Sequence, residues 1–278
     1  MKVCIIGSGK WGTAISNLLK QNAVSVTLIS RNDYTILKTE KFDIAFIALR
    51  TEGIEAFLKE YIPYLPKSIC SISKGIFTEK IPFLSEKMEK EGFNFALLSG
   101  PNFADEVERR EQTITTIASK DLTLSSSLQK ILTTSFFKVE TTSSIKAIET
   151  FAIFKNIIAI YTGFMEKNNF SANTKSMIFT LLIQEMMDFL KKLEQQAESF
   201  FLSAGIGDIF LTATSSKSRN FEYGYNFSFT EDAIQNATVE GVRSLSAIPY
   251  LEEIYNFNFN YYKKLHSIFI QKQDVKLV

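Results

Sequence analysis

Apolar and polar positions follow two different periods along this chain. Up to residue 142, short runs rich in β-branched side chains recur: "KVCII", "VSVTLIS", "FDIAFIAL", "SICSIS", "FNFALLS" and "TITTIAS". Most are continuously apolar, as expected of strands buried on both faces of a parallel sheet. Between several of them lie amphipathic segments such as "GIEAFLKEYI" and "EKIPFLSEKMEKEG". This alternation predicts an α/β architecture with a doubly wound sheet. From residue 143 apolar positions recur at helical spacing, through "IKAIETFAIFKNIIAIYTGFMEK" and "NTKSMIFTLLIQEMMDFLKKLEQ", and no strand pattern returns. The expected division is a sheet domain over 1–142 and an all-helical domain over 143–278.

The first strand runs into "CIIGSGKWGTAI", where Gly7, Gly9 and Gly12 have the spacing G-x-G-x-x-G, and a helix is predicted from Gly12 to Gln21. A strand before the glycines and a helix after them make the motif a dinucleotide fingerprint of the Rossmann type. Gly7 permits the tight turn, Gly9 lets the backbone approach a pyrophosphate, and Gly12 lets the helix pack on the strand. The free N–H groups and partial positive charge of the helix start then receive phosphates. Sites that prefer NAD place an acidic residue about 20 positions further on, whereas an Arg there suits a 2′-phosphate. This chain reads "LISRND", with Ser30 and Arg31 at the strand end and Asp33 deeper in the loop. NADPH is the expected cofactor, with NADH the alternative.

Composition narrows the chemistry. A net charge of +1 gives no broad basic footprint, so no nucleic-acid partner is expected. The two cysteines, Cys4 and Cys70, sit inside apolar runs and read as reduced core residues. With His266 the only histidine, neither a structural zinc site nor a His-dependent triad is expected. No metal is required, and the acid or base falls to a lysine or a carboxylate. Lys2 is followed by four apolar residues and then glycines, too short for a signal peptide. The most apolar internal stretch, "FAIFKNIIAIYTGFM", is interrupted by Lys155 and Asn156 and is shorter than a membrane span. No membrane insertion and a soluble, cytoplasmic location are expected. The 25 phenylalanines fall mainly on core positions, so packing accounts for them.

Five further stretches carry polar residues where such folds bind ligands. "SKGIF" places Lys74 and Gly75 just after a strand, and "LSGPNFADEV" does the same with Gly100, Pro101 and Asn102. "FKNIIAI" puts Lys155 and Asn156 inside an otherwise apolar helix, where an ammonium needs a partner or a cleft. "AGIGDIFLTATSSKSRNFEYG" carries Asp208 and the polar run Ser218, Arg219, Asn220; "TVEGVRS" carries Glu240. In their order and spacing these pieces resemble the NAD(P)-dependent glycerol-3-phosphate dehydrogenases of the bacterial type. The resemblance runs from "GSGKWGTA" to "VEG", nearly the whole chain.

The resemblance implies a reversible reduction of dihydroxyacetone phosphate to sn-glycerol 3-phosphate, feeding glycerophospholipid synthesis. It implies that Lys10 and Trp11 line the pyrophosphate turn and that Arg31 lies near the adenosine end. Lys74 would contact both cofactor and substrate, Gly100 and Asn102 the substrate, and Ala104 the cofactor. Lys155 would be the general acid or base, with Lys74 and Asp208 beside it. Asp208, Ser218, Arg219 and Asn220 would complete the substrate pocket, Arg219 also reaching the cofactor, and Thr238 and Glu240 would be further cofactor contacts. A homodimer is compatible with a helical second domain. Several departures accompany the likeness: the chain is short between Arg31 and Lys74, as though a helix and loop were missing, and its C-terminal end is abbreviated. "LRTE" (49–52) replaces the usual "VPSQ", Phe151 and Ala152 replace a glycine pair, and Leu181 and Leu182 replace an Arg-Gly pair. Two other readings stay open: a related two-domain reductase for another carbonyl, and a catalytically silent NADP-binding protein.

Overall fold

The computed structural model describes residues 1–229 and 239–277. Its first part is a run of strands and helices: β1 (Lys2–Ile6), α1 (Lys10–Gln21), β2 (Ser25–Ile29), a 3-10 turn (Arg31–Asp33), the one-turn α2 (Ile36–Thr39) and β3 (Ile44–Ile47). It continues through α3 (Thr51–Tyr61), β4 (Ser68–Ser71), α4 (Leu84–Lys90), β5 (Asn94–Ser99), α5 (Ala104–Glu108), β6 (Thr113–Ser119), α6 (Leu122–Leu132) and β7 (Phe137–Thr142). The strands form one sheet in the order β2-β1-β3-β4-β5-β6-β7, with the first five parallel. The register Ile6↔Ile29 and Ile6↔Ile47 brings the C-terminal ends of β1, β2 and β3 into line, so their loops leave from one edge.

The expected doubly wound sheet is present, with two differences. First, β6 runs antiparallel to β5. The cause is the length of the connection. The five residues of α5 rise about 7.5 Å, whereas a six-residue strand is about 20 Å long, so the chain re-enters the sheet at the edge where β5 left it. The eleven residues of α6 do span the sheet, and β7 is therefore parallel to β6. Second, β7 itself was not read from sequence, because "FKVETT" shows no apolar run. On the other side β2 is the edge strand, although the common order of such sheets has a further strand outside it. Only the 3-10 turn and α2 lie between β2 and β3. The shortening expected after Arg31 thus costs the sheet an outer strand.

The helical part comprises α7 (Ile145–Lys167), α8 (Ala172–Lys192), a 3-10 turn (Ala197–Phe201), a π-helical turn (Ser203–Gly207) and α9 (Asp208–Thr214). Among the described residues it continues with α10 (Arg219–Tyr225), α11 (Glu240–Ser246), α12 (Ile248–Tyr255) and α13 (Tyr261–Phe269). With 23 residues α7 is longer than the apolar stretch read from sequence, and it is long and apolar enough to cross a membrane. It is instead a core helix, 89% of its most apolar window being buried inside the protein. A helix apolar on all sides needs neighbours on all sides, and α8, α9, α10, α11 and β5 supply them. At the α7–α10 crossing a Cβ on Gly224 would stand 1.7 Å from the Ile160 carbonyl oxygen, so only glycine permits this approach.

Two apolar clusters cover the two faces of the sheet. One, including Ile5, Ile15, Phe46 and Leu128, lies under α1 and α6. The other begins at Ile6, Ile47 and Ile69 and continues without a break to Ile148, Phe154 and Tyr262 in the helical part. The helices are therefore packed on one face of the sheet and share its core. Cys4 and Cys70 are buried and unbridged, and burial pushes the Cys4 thiol up to about 12. Glu185 on α8 accepts the N–H groups of Asn260, Tyr261 and Tyr262, which closes the start of α13.

Phe154, next to Lys155, is fully buried, and its ring centroid lies 4.5 Å from Tyr262, 5.6 Å from Phe259 and 5.7 Å from Phe189. Phe154→Ala is expected to lower stability by about 3–5 kcal/mol in urea titration; a loss under about 1 kcal/mol would mean that these rings repack freely.

Candidate active site

Lys155 sits halfway along α7, buried, with its Nζ 2.6 Å from Asp208 Oδ2. Asp208 is the first residue of α9, delivered by the π-helical turn before it. The same Oδ2 takes a second ammonium: Lys74 Nζ is 3.0 Å away, and it also donates to the Gly100 carbonyl at 2.8 Å. Lys74 follows β4 and Gly100 follows β5, so the sheet supplies these partners from its C-terminal edge. Ser99 Oγ donates to Asp208 Oδ2 at 3.3 Å, and Thr212 Oγ1 lies 3.4 Å from Oδ1. One carboxylate thus serves two ammonium groups, and the cluster carries one positive charge in excess.

That imbalance sets the protonation chemistry. Burial pulls the Lys155 ammonium down to about 8; the Asp208 charge opposes this and the Lys74 charge adds to it. Burial pushes the Asp208 carboxyl up, but Lys155 and Lys74 together outweigh it and hold it below its usual range. The start of α9 also favours a negative charge at Asp208. A lysine poised near neutrality beside a fixed carboxylate can give up a proton and regain it.

A belt of amides and hydroxyls adjoins the cluster. Asn220 Nδ2 donates to Asn156 Oδ1 at 2.9 Å, and Asn220 Oδ1 accepts the Gly241 N–H at 2.9 Å. Glu240 accepts from Thr51 Oγ1 at 2.8 Å, and burial raises its carboxyl. Arg243 Nη1 donates to the same Thr51 oxygen at 3.0 Å. Gly75 has φ of 120°, and a Cβ there would stand 2.9 Å from Glu240 Oε2. Glu149 is buried on α7, where it accepts from Ser85 N at 3.0 Å and from Ser85 Oγ; burial raises it to about 7.

The glycine turn fits a dinucleotide. Gly7 has φ of 117° and a Cβ there would stand 2.5 Å from the Ala48 carbonyl oxygen, while one on Gly12 would reach Gly7 O at 2.1 Å. Both glycines are demanded by the protein itself. Gly9 is different: a Cβ there would meet nothing within 4 Å. Its side faces open space in front of α1, which has no side-chain cap to occupy its first N–H groups. That space is where a pyrophosphate would lie. Lys10 and Arg31 are exposed at the same edge, and Trp11 is half-buried with its indole N–H unpartnered.

The other residues singled out from sequence are placed as follows. Ala104 opens α5 and packs against the cluster under α1. Ser218 caps α10, its Oγ accepting the Phe221 N–H at 3.4 Å, and Arg219 is exposed beside it. Asn102 turns its amide toward β6, donating to Thr113 Oγ1 at 2.8 Å and to the Ile114 carbonyl at 3.0 Å, with its Oδ1 buried and unpartnered. Its side chain is not bonded to the lysine cluster. Thr238 lies outside the described residues. Sequence reasoning missed Ser99, Thr51, Thr212 and Arg243. Their hydroxyls sit in strand and helix patterns that carry no local mark of function. A cavity of about 820 Å³ lies elsewhere, between α3, the loop before α4 and α11.

Fold and cluster together define a two-domain, nucleotide-binding architecture in which a helical part closes a lysine–carboxylate site against the sheet edge. "NAD-dependent glycerol-3-phosphate dehydrogenase C-terminus" matches residues 144–278, and the corresponding N-terminus matches residues 2–41 and 37–125. The chain belongs to this family. The two N-terminal pieces meet beside the one-turn α2, where the sheet is short of a strand. The glycerol-3-phosphate dehydrogenase [NAD(P)+] of Mesoplasma florum is 30% identical, over 99% of this chain and 98% of that protein. The one from Neorickettsia sennetsu is 29% identical, over 93% of this chain and 86% of that protein. The crystal structure of the Coxiella burnetii glycerol-3-phosphate dehydrogenase superposes with a TM-score of 0.86 at 22% identity, covering 98% of this chain and 95% of that one.

Gly9 has φ of −71°, open to any residue. Gly9→Val is therefore expected to leave the melting temperature unchanged and to weaken NADPH binding at least tenfold, about 1.4 kcal/mol. Trp11, the sole tryptophan, reports binding by its fluorescence; undiminished affinity would place the pyrophosphate elsewhere.

Proposed function

We propose that the protein catalyses the reversible, NAD(P)H-dependent reduction of dihydroxyacetone phosphate to sn-glycerol 3-phosphate, with Lys155 as general acid in reduction and general base in oxidation. The observation that carries this reading is the single Asp208 oxygen shared by Lys155 at 2.6 Å and Lys74 at 3.0 Å. NAD(P)H, when bound, supplies the hydride. Lys155 donates a hydrogen bond to the C2 carbonyl oxygen and then its proton to the alkoxide that forms there. Asp208 fixes the direction of the ammonium, and burial, helped by the Lys74 charge, keeps its pKa low enough for the proton to leave. In oxidation the neutral amine takes the hydroxyl proton back.

The residues around the cluster take the remaining roles in this reading. Gly7, Gly9, Lys10, Trp11 and Gly12 receive the pyrophosphate; Ala104, Glu240 and Thr238 make further cofactor contacts. Arg31 reads the adenosine end, and it favours NADPH because Asp33 is engaged by the Ser30 hydroxyl while Arg31 stands exposed. Arg219, Ser218 and Asn220 hold the substrate phosphate, and the cluster's excess positive charge helps to attract it. Gly100 and Asn102 touch the substrate, for which the unpartnered Asn102 Oδ1 is an available acceptor. The nucleotide-binding half is taken as 1–142 and the substrate half as 143–278. On family likeness alone, we place the protein in the cytoplasm as a homodimer supplying glycerol 3-phosphate to phospholipid synthesis.

With its pKa near 8, Lys155 is an ammonium below that pH and an amine above it. Reduction is expected to hold its kcat up to about pH 8 and fall beyond it, with oxidation rising over the same interval; stopped assays in both directions across pH 6–10 check the sign. Lys155→Ala is expected to lower kcat about 10²–10⁴-fold with NADPH affinity intact. Equal activity would remove Lys155 from this role, and binding of either cofactor without turnover of dihydroxyacetone phosphate would favour a silent NADP-binding protein.

A further inference from the structure

Asp208 owes its place to the turn that precedes it, and that turn is held by the last two strands of the sheet. Thr116 on β6 and Glu140 on β7 are register partners, so their side chains stand together. Thr116 Oγ1 donates to Glu140 Oε1 at 2.8 Å. The same Glu140 oxygen accepts the Ser203 N–H at 2.6 Å. Thr116 Oγ1 in turn accepts the Ala204 N–H at 3.1 Å and lies 2.8 Å from Ser203 Oγ. Ser203 and Ala204 are the first two residues of the π-helical turn, and their N–H groups have no earlier carbonyl of that turn to meet. Thr116 is fully buried and Ser203 nearly so.

At its other end the turn rests against the loop after β5. A Cβ on Gly207 would lie 3.4 Å from Pro101 Cγ, next to the Gly100 carbonyl that Lys74 holds. The turn is thus pinned at its start by a carboxylate and a hydroxyl from the sheet, Pro101 bounds the space beside its last glycine, and the next residue is Asp208. Single π-helical turns of this kind concentrate at functional sites. Hydrogen bonds from N–H groups to a carboxylate are shorter and stronger than those to neutral acceptors, which suits Glu140 to the fixed point of such a turn.

We propose that Glu140 is a positioning residue: through Thr116 and the Ser203–Gly207 turn it holds Asp208 between Lys155 and Lys74. The inference rests on the role proposed for Lys155. If the turn slackens, the Asp208 carboxylate withdraws from Lys155, whose other charged neighbour among the described residues of the cluster is the cation Lys74. The ammonium is then less favoured, and the acid form is lost at lower pH.

The test compares kcat against pH, KM for dihydroxyacetone phosphate and NADPH affinity by Trp11 fluorescence in Glu140→Ala, Glu140→Gln and Thr116→Val. Glu140→Ala is expected to lower kcat about tenfold, as small misplacements of catalytic groups do. The alkaline limb of reduction should move down by about half a pH unit, with NADPH affinity within about twofold of the parent's. Glu140→Gln, whose amide oxygen still accepts both bonds, should recover most of the rate and the limb. A cap with a purely structural role would lower the melting temperature and leave the pH profile superimposable; that result in Glu140→Ala overturns the inference. If Glu140→Ala does not fold, Thr116→Val decides in the same way, a displaced limb supporting the inference and an unmoved one overturning it. Lys155→Ala separates the two readings: full activity there defeats the role of Lys155, whereas an inactive Lys155→Ala beside an unmoved Glu140→Ala profile defeats only the role of Glu140.

Discussion

One oxygen atom organises this molecule. Asp208 Oδ2 takes an ammonium from the helical part and another from the sheet. Burying Lys155 without it would leave a desolvated charge with no counter-charge, an arrangement that proteins avoid by neutralising the group or by opening the site to water. With it, α7 can carry a lysine through an otherwise apolar core. The price of this arrangement falls on geometry: α9 must begin where Lys155 and Lys74 converge, and the π-helical turn, the loop after β4 and the loop after β5 must all be placed to suit.

The position of the missing strand is consistent with that constraint. The sheet is abbreviated beyond β2, at one edge, whereas Lys74 and Gly100 hang from β4 and β5, several strands away. At about 4.8 Å per strand, the lost strand lies too far away to touch the lysine cluster. What it leaves behind is a more open surface beside the Arg31 turn, where the adenosine end of the cofactor is proposed to lie. The shortening and the chemistry occupy separate regions of one sheet, which is why a chain of this length keeps every residue of the cluster.

Much of this was legible in the sequence. Six strands stood out because a strand buried on both faces has no polar alternation to blur it, and Gly7 and Gly12 stood out because turn geometry and close approach leave few residues to choose from. Lys155 was legible for the opposite reason, as a charge where an apolar helix should have none. The direction of β6 was not, since strand polarity is set by the length of α5 and not by the composition of either strand. β7 was not, because Lys138 and Glu140 interrupt it. Asn102 was given a substrate contact by the family resemblance alone, and no local pattern announced that its amide nitrogen donates to Thr113 and Ile114. Ser99, Thr116 and Ser203 are ordinary hydroxyl residues in their local context. They acquire meaning only from partners brought near by the fold.

Those partners are far apart in the chain. Lys155 and Asp208 are separated by 53 residues, Ser99 and Asp208 by 109, and Lys74 and Asp208 by 134. Each contact closes a long loop, whose entropy must be met before the contact contributes anything. No fragment of the chain shorter than the span from Lys74 to Asp208 can contain the site. Neither half can assemble it alone, because the sheet holds one ammonium and the helices hold the other together with the carboxylate. The lysine–carboxylate cluster therefore exists only when both halves have docked as well as formed.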